Sequence, residues 1–177
     1  MKWTKQKRIF AGVLFIVLVC GGAAAYVFTD LNPTPVQSAE QVDSKIDKHA
    51  DKLAKVDLSS NPFPVGSETV TEDQIQKYLH GMSHQKVEAK DKWIHFEITE
   101  ERILYLMKQI ESNRSAFGHA DLYLDILSRW LEGDYSKADR DHNAVWNLQG
   151  GTIGKATGVL SEAEEAQYLE ENKEEKK

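Results

Sequence analysis

Hydrophobic positions in this chain follow two patterns. One is a single unbroken run, Ile9 to Phe28, twenty residues without a charge. The other is a series of narrow stripes, spaced three and four residues apart and separated by polar turns. At about 1.5 Å per residue, the run has the length a helix needs to cross a hydrocarbon layer about 30 Å thick. Backbone groups in lipid must bond within their own segment, so residues 9–28 are expected as a transmembrane helix. Trp3 and Tyr26 stand near its two ends, where amphipathic rings favour the interface. Lys2, Lys5, Lys7 and Arg8 precede the run and Thr29-Asp30 follow it. That asymmetry predicts a cytoplasmic tail at 1–8 and an extracytoplasmic remainder. Two alternatives also export the chain. Ala23-Ala24-Ala25 could end a cleaved signal peptide, with the cut before Tyr26, although the apolar run continues to Phe28. A lipoprotein signal would end at Cys20, but Val19 is not the small residue such signals place there.

The stripes predict an all-α fold: the transmembrane helix, a proline-containing linker or stalk at 29–65, a bundle of about five short helices at 66–170, and a charged tail at 171–177. Pro33 and Pro35 stiffen the spacer. Val42, Ile46, His49, Leu53 and Val56 recur at helical spacing within a polar stretch, a stripe thin enough to predict a marginal, mobile helix or stalk. Pro62, Pro64 and Gly66 mark the expected domain start. Thr71 with Gln74 forms a capping-box pattern, and Ile75, Tyr78, Leu79 and Met82 then share a face, despite Gly81. Residues 92–98 alternate like a strand, but no second strand is found to pair with them, so they are expected to be extended or irregular. Thr99 caps a helix carrying Ile103, Leu106, Met107 and Ile110. Asp121 to Glu132, with Leu122, Tyr123, Ile126, Leu127, Trp130 and Leu131, is the most apolar helix and is expected centrally, with Gly133 as its stop. Ser136 and Asp139 suggest a cap for a helix reaching Leu148, and Ser161 with Glu164 opens the last one.

Charge narrows the partners. The first eight residues carry four positive charges and no negative one, which leaves −10 on the remainder of a chain whose total is −6. Such a body does not suit nucleic acid or anionic lipid head groups. Cys20 is the single cysteine, so no internal disulfide forms.

Few residues carry recognisable chemistry. His80 and His84 lie four apart on one helix face, where two imidazoles can grip one zinc or copper ion. The metalloprotease motif would place Glu where Gly81 stands. Asp139, Asp141 and Asn143 start like a calcium loop, but Ala144 and Gly150 occupy the places of its glycine and glutamate. The loop Gly150 to Thr157 has three residues, not four, between Gly150 and Gly154, so it is not a nucleotide-binding P-loop. Asp141, His142 and Asn143, with Trp146 and Gln149, form the densest polar-aromatic cluster, which reads either as a site or as a hydrogen-bonded lock on the glycine loop.

Three strings recur together: Met82 to Val87, Asp139 to Thr152, and Gly154 to Gly158 leading into Leu160-Ser161. With them the chain resembles a domain-of-unknown-function family of exported or membrane-anchored proteins from Gram-positive bacteria, over about Thr71 to Leu169. It departs from that pattern at Ile94, where a glycine would follow the tryptophan. The resemblance implies topology and domain limits, and no catalytic residue.

The expectation is therefore a membrane-anchored binding module facing an envelope protein or cell-wall component, with no cofactor and no nucleotide. Its candidate ligand-binding residues are His84, Gln85, Asp141, His142, Asn143, Trp146, Gln149 and Lys155. The alternatives are a metal-assisted envelope hydrolase using His80, His84 and His142, and a scaffold acting through its transmembrane helix.

Overall fold

The computed structural model describes residues 38–63 and 70–173. They belong to the second of two units into which the chain divides, Val36–Lys177; the first is Met1–Pro35. The span expected at 9–28, its basic flank, the proline spacer and the expected domain start at Gly66 lie outside the described residues. Among the described residues, no helix is long and apolar enough to cross a membrane.

The described residues form seven helices and one minimal strand pair: α1 (Ala39–Asp47), α2 (Ala50–Leu53), α3 (Glu72–Ser83), β1 (Val87–Glu88), α4 (Glu100–Ser112), α5 (Ala120–Leu131), α6 (Ala138–Leu148), β2 (Gly158–Val159) and α7 (Glu162–Glu171), with a 3-10 turn at Arg114–Ala116. The fold is mostly helical, as expected. Two helices beyond the expected five come from the stretch read as a stalk. Val42, Ile46 and Leu53 are buried in the main core with Phe63. A thin apolar stripe suffices here because α5 packs against α1 and α4 against α2. Lys45 bonds Asp125 at 2.9 Å and Arg114 bonds Asp43 at 2.6 Å across the junction.

The helix starts follow local chemistry. Thr71 Oγ1 accepts the Gln74 N–H at 3.3 Å, and Gln74 Oε1 accepts the Thr71 N–H at 2.9 Å, which closes the expected capping box of α3. Thr99 Oγ1 accepts the Arg102 N–H at the start of α4. Ser161 and Glu164 form the box of α7. The expected Ser136/Asp139 cap of α6 is absent: Lys137 is the N-cap, with no side-chain bond, and Ser136 instead turns back to Asp134. A neighbouring carboxylate two residues away outcompetes the helix for that serine. Gly133, at φ 78°, ends the turn after α5.

Two long-range features place the site. α3 packs against α6. Residues 92–98, irregular as expected, cross the end of α3, where the Phe96 N–H donates to the Gly81 carbonyl at 3.2 Å. A Cβ at Gly81 would lie 2.5 Å from the Phe96 ring, so the glycine is what lets this segment approach the helix. The strand that β1 pairs with is β2, in antiparallel register Val87 with Val159 and Glu88 with Gly158. Sequence reasoning sought a partner only for 92–98 and so missed this pair of two-residue strands.

Candidate metal centre

The packing of α3 on α6 brings three imidazoles together. His80 lies in the last turn of α3, His84 is its C-cap, and His142 lies mid-way along α6. Their ring centroids are 4.7 Å apart for His80 and His84, 4.6 Å for His80 and His142, and 5.4 Å for His84 and His142. One ring nitrogen from each lies within 4.8 Å of the other two. His84 and His142 are 2% and 0% exposed, and His80 is half-buried.

Each ring is oriented by an oxygen at Nδ1. His84 Nδ1 lies 2.6 Å from the Ile94 carbonyl, His80 Nδ1 lies 2.6 Å from Gln149 Oε1, and His142 Nδ1 lies 3.1 Å from Asn143 Oδ1. A carbonyl oxygen only accepts, so His84 carries its proton on Nδ1 and keeps a lone pair on Nε2. Asn143 is held in one orientation by Ala156, accepting from its N–H at 2.8 Å and donating to its C=O at 3.0 Å, so its Oδ1 also only accepts from His142. The Nε2 atoms of His84 and His142 are buried with no hydrogen-bond partner. Burial holds all three imidazoles below their ordinary pKa, His84 at about 3 and His142 at about 4, against opposing hydrogen bonds to Ile94, Gln149 and Asn143. Neighbouring histidines and Lys92 push the two buried rings the same way. The cluster is therefore neutral, which is the ligating form of imidazole.

This set fits a zinc-like ion. Neutral imidazole nitrogens bind Zn²⁺ at about 2.0–2.1 Å, and oxygen acceptors on the second nitrogen fix ring and tautomer. Tetrahedral ligands at that distance stand about 3.4 Å apart, so the widest pair here would close by about 1.4 Å onto an ion.

A cavity of about 360 Å³ opens on one side, with His80 and His84 in its wall. Its other walls include Asp91, Trp93 and Ile94 from the irregular segment and Trp146, Gln149 and residues 150–153 from the glycine loop. The loop wraps the Trp146 ring, whose Nε1–H donates to the Ile153 carbonyl at 2.8 Å. A Cβ at Gly151 would come within 2.3 Å of that ring. Gly154, at φ 83°, leaves room for the Asp91 carbonyl, which a Cβ would approach to 2.7 Å. These contacts account for the loop's glycine richness. A larger cavity of about 460 Å³, lined by Lys52, Lys55, Glu100 and Tyr105 among others, lies elsewhere and has no histidine in its wall.

The candidates from sequence divide. His84, Trp146 and Gln149 line the cavity, with His142 and Asn143 directly behind it. His80, proposed from its spacing to His84, joins them. Asp141 does not: its carboxylate takes a bidentate pair from Arg129 at 2.6 and 2.9 Å and the Trp130 indole N–H at 3.1 Å. Neighbours on a helix point about 100° apart, which turns Asp141 from the site that His142 enters. The same pairing removes it from any calcium set. Gln85 is a clamp, accepting from the Ile98 N–H at 2.7 Å and donating to Glu165 at 3.0 Å. Lys155 is exposed and stands outside the cavity wall. Sequence reasoning missed Asp91, Trp93, the Ile94 carbonyl and Ile153, because neither the alternation of 92–98 nor the glycine loop says that these two segments meet; a tryptophan beside a charged connection was the one available signal.

No curated protein and no solved structure matches this chain. Residues 79–170 match a family of unknown function, and that stretch contains all three histidines and the whole glycine loop. On that match the chain belongs to the family DUF6241.

Proposed function

We propose that this protein is a membrane-anchored, extracytoplasmic domain that binds a zinc-like ion through His80, His84 and His142. The observation that carries it is the pair of buried, unpartnered Nε2 atoms on His84 and His142, converging with His80 while every Nδ1 is held by an oxygen. A buried acceptor without a partner costs about 1–3 kcal/mol, and one shared cation relieves it. The uncharged run at 9–28 with four cations before it supports anchoring with the remainder outside. The acidic body and the cavity beside residues 150–153 support a binding role toward an envelope component rather than nucleic acid.

A second reading has its own support. Structural zinc sites close their four positions with protein ligands, whereas catalytic ones keep one open. Three histidines beside a cavity fit the open kind, so metal-assisted hydrolysis of an envelope substrate is the alternative activity.

Elemental analysis of the purified full chain tests the metal reading. One zinc-like ion per chain is expected, lost in His142→Leu and in the half-buried His80→Ala. A folded chain that takes up no zinc, cobalt or copper when these are supplied refutes it. A reporter fused to the C-terminus tests the topology, and a cytosolic signal refutes export.

A further inference from the structure

The cavity mouth holds an unexplained apolar surface. Trp93 is 78% exposed and Ile153 57% exposed, and both line this cavity. Only one other large hydrophobic side chain among the described residues is exposed, Val159 at 38%. A domain that buries Trp130, Tyr78, Tyr105 and Tyr123 completely has left a tryptophan in water beside its histidine cluster. Exposed apolar surface gathered at a concave site marks binding.

Charge indicates what binds. A ligating imidazole is neutral, so three of them leave the full double charge on an ion. The one carboxylate in the cavity wall, Asp91, is not among the converging ligand atoms. The cavity wall contains no Lys or Arg to share a multiply charged anion. A phosphate dianion is therefore poorly served, whereas a single carboxylate needs only the ion.

We infer that the open coordination position takes the carboxylate of a small acid whose apolar or ring body rests against Trp93 and Ile153. This rests on the metal reading above. The cavity volume, about 360 Å³, is in the range that suits a small ligand. The loop is already clamped by Trp146 and by the Asn143–Ala156 pair, so the wall stands formed before the acid arrives.

The test uses the full chain in detergent, loaded with Co²⁺, whose visible absorption reports coordination. Benzoate, acetate, inorganic phosphate and benzyl alcohol are the probes. The expected result is a Co²⁺ spectrum shifted by benzoate at about tenfold lower concentration than by acetate, and not by benzyl alcohol; one tenfold step is the scale of a single aromatic contact. Trp93→Ala and Ile153→Ser, both at exposed positions, should bring benzoate down to acetate's affinity and leave Co²⁺ binding unchanged. A Co²⁺ spectrum that no acid shifts overturns the inference, as does acetate or phosphate binding as well as benzoate. A spectrum altered by Asp91→Asn without added acid also overturns it, since Asp91 then fills the position. A folded chain with no Co²⁺ spectrum overturns the metal reading itself, which separates the two failures.

Discussion

Two buried polar clusters meet α6 at adjacent residues, and they are built on opposite plans. Asp141 is saturated: two guanidinium N–H groups and an indole N–H fill its oxygens, and Arg129 also reaches Asp125 at 3.3 Å. Burial pushes the Asp141 carboxyl up from its ordinary value, and Arg129 pulls against that shift. His142 is half satisfied: Asn143 holds one nitrogen, and the other faces His80 and His84 with nothing bonded to it. Burial alone thus does not mark a site. A charge with every partner in place holds the fold, while neutral lone pairs left open mark the candidate centre.

The contrast predicts unequal responses to mutation. Arg129→Met leaves a buried carboxylate with only Trp130, and should lose about 3–5 kcal/mol in urea unfolding. Arg129→Met combined with Asp141→Leu should recover most of that loss, because the unpaired charge is then gone. A loss below about 1 kcal/mol for the single variant would erase the distinction.

The histidine cluster should respond to metal instead. In chelator, His142→Leu keeps volume and removes an orphaned acceptor, so stability should change by less than about 1.5 kcal/mol. With zinc at about a hundred times its Kd, the native chain should gain about 2.7 kcal/mol and the variant nothing. Thermal melts of both proteins, with and without zinc, check this. A variant that gains as much as the native chain would show the ion to be bound elsewhere.

Much of this was legible locally. The capping boxes at Thr71 and Ser161 are contacts three residues apart, and the His80/His84 pair is set by helix pitch, so both can be read from spacing. His142 joins them only because α3 and α6 pack together, which spacing along the chain does not encode. Asp141 looked like part of the same cluster because it is adjacent in sequence; its true partner, Arg129, lies on another helix. The stalk reading of 38–57 failed for a related reason. Val42, Ile46 and Leu53 make too narrow a stripe to bury themselves, and the surface that covers them comes from elsewhere in the chain.

Gly81 couples the fold to the site. Alanine there should favour the helix by about 1 kcal/mol, but its Cβ would sit 2.5 Å from the buried Phe96 ring. Overpacking of that kind costs about 1–3 kcal/mol, so Gly81→Ala should lose up to about 2 kcal/mol net. It should also weaken zinc binding, because the displaced segment carries the Ile94 carbonyl that orients His84. Loss of stability with unchanged zinc affinity would show that the segment does not position the ligand.

The smallest effect should come from the far end of α3. Burial pushes the Glu72 carboxyl upward, but N–H groups of Gly118 and His119 and the Tyr123 hydroxyl donate to it, and the net shift is below its ordinary value of 4.5. A carboxyl lowered in the folded state binds fewer protons there than in the unfolded chain. Its contribution is therefore complete above about pH 4.5 and fades as pH falls through the folded value. Glu72→Gln should flatten that part of the stability–pH curve and leave metal stoichiometry untouched. If Glu72→Gln also removed the metal, the two ends of α3 would be acting as one network, and the division between a saturated framework and an open centre would have to be redrawn.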